Sequence, residues 1–158
     1  MTLRVLHLDS AATWRGGQNQ AFLTARGMAA RGHDVTVGCR AGAPLETRAR
    51  SEGLEVLPIP FRGDLWPPAI LSLARAMRRH PPSVLLLHDP HAVSAGILAA
   101  RLAGRPPLVA VRRVDFPLRG AVSRWKYLAP DRVIVVSRAI GSVVEAGGLP
   151  PERMRLVY

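Results

Sequence analysis

The residues with the plainest chemical purpose lie in Asp9-Ser10-Ala11-Ala12-Thr13-Trp14-Arg15-Gly16-Gly17-Gln18, where an apolar run gives way to a helical pattern. A Gly-Gly pair at the mouth of a helix lets the backbone approach an anion closely. The first-turn N–H groups there have no partner inside the helix. Gly16, Gly17 and Gln18 are therefore candidate phosphate ligands, with the shaping of a tight turn as the alternative. His88-Asp89-Pro90-His91 stands where another apolar run meets a helix. A histidine in that place can bond a hydroxyl and exchange a proton near neutral pH. The duller alternative has Asp89 capping the helix with His88 packed beneath it. Arg112, Arg113 and Asp115 follow a third run; they either clamp an anion through guanidinium forks or neutralise one another on the surface. Trp14 and Trp66 offer flat faces for stacking, whereas Trp125 reads as core.

Seven short apolar runs must position these groups, and each but the last is followed by a helical pattern. The strands read as Leu3–Leu8, Val35–Cys39, Leu54–Ile59, Ser83–His88, Leu108–Val111, Arg132–Val136 and Arg153–Tyr158. The helices read as Gln18–Ala30, Pro44–Glu52, Trp66–Arg79, a segment opened by Asp89-Pro90-His91 and running to Ala103, the second half of 112–129, and one capped by Ser137 that ends near Gly147-Gly148. Strands alternating with crossover helices require a parallel sheet, because each right-handed crossover lays a helix on one face. The expected fold is α/β, a doubly wound, mostly parallel sheet of about seven strands with helices on both faces, and residues 1–158 form one domain. In such a sheet ligands bind beyond the carboxyl ends of the strands, where all three candidate loops fall. The last strand stops without the helix expected after it, so the C-terminus reads as cut.

Composition narrows the field. With 48% hydrophobic residues the chain is not disordered, and its single cysteine, Cys39, excludes an intramolecular disulfide and a cysteine-based zinc site. His88 and His91 have no further pair spaced to join them around a metal. His7 reads as a core histidine with its hydrogen bonds satisfied, and His33 and His80 sit in helix-ending turns. Twenty-two basic against 11 acidic residues give a formal charge of +11, which draws polyanions. The arginines are scattered and aromatics are few, so nucleic acid is not the expected partner. No stretch has the length of a membrane span, and no signal segment opens the chain; a cytoplasmic setting is expected. Fingerprints for dinucleotides, P-loop phosphates and the hydrolase nucleophile elbow are missing.

Taken together, the Trp14-Arg15-Gly16-Gly17-Gln18 loop, His88-Asp89-Pro90-His91, Trp125-Lys126-Tyr127 before strand six, Val136-Ser137 opening a helix, and the final 148–158 stretch resemble the N-terminal, acceptor-side domain of a GT-B retaining glycosyltransferase of family 4. The resemblance spans the chain. It implies a Rossmann-like half facing a C-terminal donor-binding domain that this chain lacks, and hexosyl transfer from a nucleotide-sugar donor to a sugar or glycolipid acceptor of the cell envelope, without metal or other cofactor. It also implies that the fragment alone is inactive. Gly16, Gly17 and Gln18 would approach the donor diphosphate. Where relatives carry a histidine beside the transferred sugar, this chain has Arg112-Arg113. The residues assigned to catalysis are His91, Arg113 and Asp115, and those assigned to the acceptor are Trp14, His88, Arg112 and Trp66. The basic and aromatic mixture of 119–127 adds an expected peripheral contact with anionic membrane, a solvated helix face being the alternative. The rival from another class is a non-catalytic, flavodoxin-like nucleotide- or phosphate-binding module.

Overall fold

A computed structural model describes all of residues 1–158. Strands β1 (Arg4–Asp9), β2 (Asp34–Arg40), β3 (Glu55–Ile59), β4 (Val84–Leu87), β5 (Leu108–Arg112), β6 (Arg132–Val135) and β7 (Met154–Leu156) alternate with helices α1 (Gly16–Ala30), α2 (Pro44–Ser51), α3 (Pro67–Arg79), α4 (Pro90–Leu102), α5 (Gly120–Leu128) and α6 (Arg138–Ala146). All neighbouring strands are parallel, in the order β3-β2-β1-β4-β5-β6-β7. The order reverses between β1 and β4, so the loops leaving these two strands diverge and open a crevice. The loops 10–15 and 88–89 flank it.

Alternation of side chains along β1 separates two cores. Leu6 and Leu8 join the larger one, with Leu73 and Met77 of α3, Val93 and Ile97 of α4, Tyr127 of α5 and Val144 of α6. Val5 joins the smaller one, with Phe22 and Ala25 of α1 and Leu45 of α2. On the larger side α4 lies close to the sheet. A Cβ on Gly96 would stand 2.4 Å from Leu87 Cδ2, so glycine is what permits the approach.

Helices cover both faces, as expected, but unevenly. Crossovers that step in one direction across the sheet leave their helices on one side. Accordingly α1 and α2 cover only the β1–β3 end of their face, and Val109, Ile134 and Val136 beyond it are partly exposed. The last strand is also shorter than the expected Arg153–Tyr158, because Pro151–Arg153 forms a 3₁₀ turn that delays pairing until Met154. No helix is long and apolar enough to cross a membrane.

Candidate functional site

The first turn of α1 meets the anion-binding requirement. Arg15 is its N-cap, in extended conformation and without a side-chain cap, and the turn contains no acid. Intrahelical bonding begins at Asn19 N–H, which donates to the Arg15 carbonyl at 3.0 Å; the N–H groups of Gly16, Gly17 and Gln18 have no acceptor within the chain. A Cβ on Gly16 or Gly17 would meet nothing within 4 Å, so this turn is not packed against other parts of the chain on its side-chain flank. The Gln18 side chain, however, is turned inward. Its Nε2 donates to both oxygens of the buried Asp9 carboxylate, at 3.1 and 3.2 Å. Its expected part in phosphate binding is thereby reduced to its backbone N–H, and the side chain braces the loop instead.

The α4 N-terminus is built differently. Asp89 caps it, accepting from the His91 and Ala92 N–H groups at 2.9 and 3.1 Å. The same carboxylate accepts from the Ser10 N–H and hydroxyl, both at 2.6 Å, and so fastens the loop after β1 to the loop after β4. A filled cap leaves no room for a second anion at α4. The crevice therefore has one open helix N-terminus, that of α1.

Between the two loops runs a chain of three side chains. Arg113 Nη1 donates to the His88 carbonyl at 3.0 Å, and Nη2 lies 3.0 Å from His88 Nδ1. His88 Nε2 lies 2.9 Å from His7 Nδ1. The two imidazoles are within 8° of parallel, with centroids 5.2 Å apart. With so short an N···N contact, that separation describes rings joined edge to edge in one plane, not stacked faces. Because a guanidinium can only donate, His88 accepts at Nδ1 and carries its proton on Nε2. His7 in turn accepts at Nδ1 and carries its proton on Nε2, which is buried with no partner. Burial holds His7 down at about 4. Burial, then His7 and Arg113, pushes His88 well below its ordinary range. Both rings are neutral and serve to aim Arg113. Burial lowers the Arg113 pKa against the opposing pull of Asp9 and Asp89, and burial together with Asp89 raises that of Asp9.

This geometry corrects several expectations. His88 is not an acceptor ligand: both of its ring nitrogens are engaged inside the protein. His7 is buried as expected, but only half satisfied. Arg112 and Arg113 do not form one clamp, since successive residues leaving a strand take opposite faces. Arg112 is buried over the Tyr127 ring, 4.6 Å from its centroid, and donates to the Phe116 carbonyl. Asp115 is exposed and pairs with neither arginine. Trp14 is turned away from the crevice, with Arg48 4.4 Å over its ring and Phe22 against it edge-on. His91 is half exposed at the mouth of α4, its Nδ1 3.3 Å from Asp64 Oδ1. Trp66, N-cap of α3, is partly exposed beneath Arg62.

Three groups that the sequence did not single out for this site complete it: Asp9, Asp64 and Lys126. Lys126 Nζ donates to Asp64 Oδ2 at 2.8 Å, tying the loop after β3 to α5. Burial alone would raise the Asp64 pKa, but Lys126, Ser94 and His91 more than offset it and hold it below the usual range. Nothing in Gly63-Asp64-Leu65 marks this link in advance, because it joins residues 62 positions apart.

This all-parallel, Rossmann-like sheet matches that of the N-terminal half of GT-B glycosyltransferases, and solved structures of that kind superpose on the chain. Anabaena HepE in complex with UDP-glucose matches with a TM-score of 0.80 and 18% identity, over 99% of this chain and 43% of its own. A glycosyltransferase from Rickettsia africae gives 0.74 and 12%, over 99% and 42%. Acinetobacter baumannii MurG gives 0.65 and 16%, over 84% and 41%. The chain thus spans well under half the length of these structures. No curated protein matches it in sequence. The profile of Glycosyltransferase Family 4 matches residues 14–158, and the chain belongs to that family.

Proposed function

We propose that this chain is the acceptor-side half of a retaining glycosyltransferase, which moves a hexosyl group from a nucleotide sugar to a cell-envelope glycolipid or polysaccharide. The carrying observation is the trio of unpartnered amides at Gly16, Gly17 and Gln18, which open onto the crevice where Arg113 is aimed. A departing nucleotide diphosphate gains negative charge as the glycosidic bond breaks. Fixed N–H dipoles and a held guanidinium stabilise that charge without reorganising. Arg113 stands where the family's histidine would stand, and its role is electrostatic. His91, oriented by Asp64, faces the acceptor hydroxyl, and Asp115 and Trp66 border the acceptor path. A C-terminal domain supplies most of the donor contacts, so the fragment alone does not turn over. The reaction needs no metal, and its setting is cytoplasmic. The UDP and UDP-glucose complexes of HepE support a nucleotide-sugar donor for this family member as well.

The test is nucleotide release from UDP-, GDP- and ADP-sugars by the full-length protein, with glycolipid acceptors and NMR assignment of the product anomer. Release that falls at least a hundredfold in Arg113→Ala, with the donor's anomeric configuration kept, is the expected result. An inverted product removes retention, and release that survives Arg113→Ala removes the site.

A further inference from the structure

Hydrogen-bond partners divide the imidazole rings into two kinds. The His33 ring accepts from the Leu3 N–H at Nδ1, 3.3 Å away, and so carries its proton on Nε2 when neutral. His7 and His88 also accept at Nδ1. His91 meets the opposite neighbour. Its Nδ1 stands 3.3 Å from Asp64 Oδ1, an oxygen that is buried and has no hydrogen bond of its own. The Ser94 hydroxyl, which also lies beside Asp64, is spent on the Pro90 carbonyl at 3.2 Å. A buried carboxylate oxygen without a donor is costly, and the half-exposed His91 ring has room to turn and supply one.

Asp64 can only accept. Burial raises its pKa, but Lys126, Ser94 and His91 more than offset that and keep it ionised, and an ionised carboxylate has no proton to give. Its two oxygens are divided between two helices. Oδ2 takes the Lys126 ammonium of α5 at 2.8 Å, and Oδ1 is left for α4. Lys126 is buried and pairs with no other acid, so this division is fixed. A neutral imidazole that faces a carboxylate through Nδ1 carries its proton there, and its Nε2 is then a bare lone pair. Such an atom accepts from a hydroxyl and repels a carboxylate or phosphate oxygen.

We propose that the Lys126–Asp64 pair sets the His91 tautomer, leaving Nε2 unprotonated to accept from the acceptor's attacking hydroxyl, with Lys126 as a positioning residue. The inference rests on the acceptor reading of His91 and adds that the group docked there is a hydrogen-bond donor. Asp64→Asn exposes the part played by Lys126. Asparagine has one accepting oxygen and one donating nitrogen, and an ammonium can only donate, so Lys126 claims the oxygen and the amide nitrogen turns to His91. Nδ1 must then accept, and the proton moves to Nε2, which presents a donor where the hydroxyl needs an acceptor. Removing Lys126 as well, in the double variant Asp64→Asn, Lys126→Met, frees the amide to turn its oxygen back to His91.

The test is heteronuclear NMR of the ring nitrogens in histidine-labelled protein, read in the neutral rings and assigned by the signal that His91→Gln removes. Expected is a protonated Nδ1 for His91, against a protonated Nε2 for His7, His33 and His88. The His91 pattern should invert in Asp64→Asn and return in the double variant. In nucleotide release from UDP-, GDP- and ADP-sugars with glycolipid acceptors, kcat of Asp64→Asn should fall at least about tenfold with the donor KM within about twofold, and the double variant should regain most of the loss. A pair that serves the fold alone predicts the reverse, a double variant worse than the single one. A wild-type His91 with its proton on Nε2 overturns the proposal, and that spectrum depends on no Asp64 variant folding. So does an Asp64→Asn ring that keeps the wild-type tautomer. Turnover that survives while the tautomer inverts sinks instead the placement of the acceptor hydroxyl at His91.

Discussion

Gly17→Asp separates the stability of α1 from its proposed use. Neither glycine of the first turn has a positive φ, and a Cβ at Gly17 meets nothing within 4 Å, so the substitution is free of steric cost. The turn has no acid, and a carboxylate there interacts favourably with the helix dipole by about 0.3–1 kcal/mol. Leaving glycine adds a few tenths more in helix propensity, for a total of about 1 kcal/mol. A domain of this size should then melt about 2–4 °C higher. A nucleotide diphosphate meets the opposite outcome. Two unit negative charges about 5 Å apart, at an effective dielectric constant of about 20, repel by about 3 kcal/mol, which is more than a hundredfold in affinity. Gly17→Ala, which adds bulk without charge, should keep UDP affinity within about threefold if the ligand contacts only the amides. Thermal melting paired with calorimetric UDP titration reads both quantities. A Gly17→Asp protein that melts higher and binds UDP as tightly as wild type refutes the assignment of the diphosphate to this helix end.

The His7 ring, held at about 4 in the fold against 6.5 in the unfolded chain, makes stability depend on pH. Its contribution is complete above pH 6.5 and is lost as the pH falls toward 4, by about 3 kcal/mol at 1.4 kcal/mol per unit. His7→Asn keeps an acceptor for His88 but cannot titrate, so its urea midpoint should fall less between pH 7 and pH 4.5; parallel slopes would refute the buried neutral pair. Asp89→Ala removes the α4 cap and the tie to Ser10, and should cost about 2 kcal/mol in chemical unfolding, where a loss under about 0.5 kcal/mol would show that the clasp is idle. Gly96→Ala improves helix propensity yet drives a methyl into Leu87, so it should destabilise by about 1–3 kcal/mol, and a rise in melting temperature would show that α4 can retreat from the sheet.

The sequence made the frame legible because its punctuation is local. Pro44, Pro67 and Pro90 open helices, Ser137 and Asp89 cap them, and apolar runs of strand length separate them. The helix opening at Gly16 and Gly17 was legible for the same reason, the glycine pair standing where an apolar run gives way to a helical pattern. The fate of His88 was not local. In the β1–β4 register His7 faces Leu86, so His88 lies two residues beyond on the same face as His7. That pairing exists only because strands far apart in sequence become neighbours. Arg112 was misjudged through a boundary of one residue. A strand ending at Val111 leaves both arginines free, whereas one that includes Arg112 commits it to the α5 side and releases Arg113 to the crevice.

The topology also explains how the crevice is held together around one open helix end. Where β1 and β4 diverge, no ladder hydrogen bonds connect the departing loops, and side chains must hold the geometry. Asp89 does so from one side by binding Ser10, and Gln18 does so from the other by binding Asp9. Each bracket consumes a carboxylate, Asp9 buried and Asp89 half-buried, and the two lie near enough for Asp89 to raise the Asp9 pKa. Two such charges repel one another, and the Arg113 guanidinium, attracted by both, offsets that repulsion. That guanidinium is therefore structural and electrostatic at once. Arg113→Lys, which keeps the charge but loses the two bonds to His88, should retain the fold and lower donor turnover, because a lysine ammonium cannot hold the fixed direction that two parallel N–H donors impose.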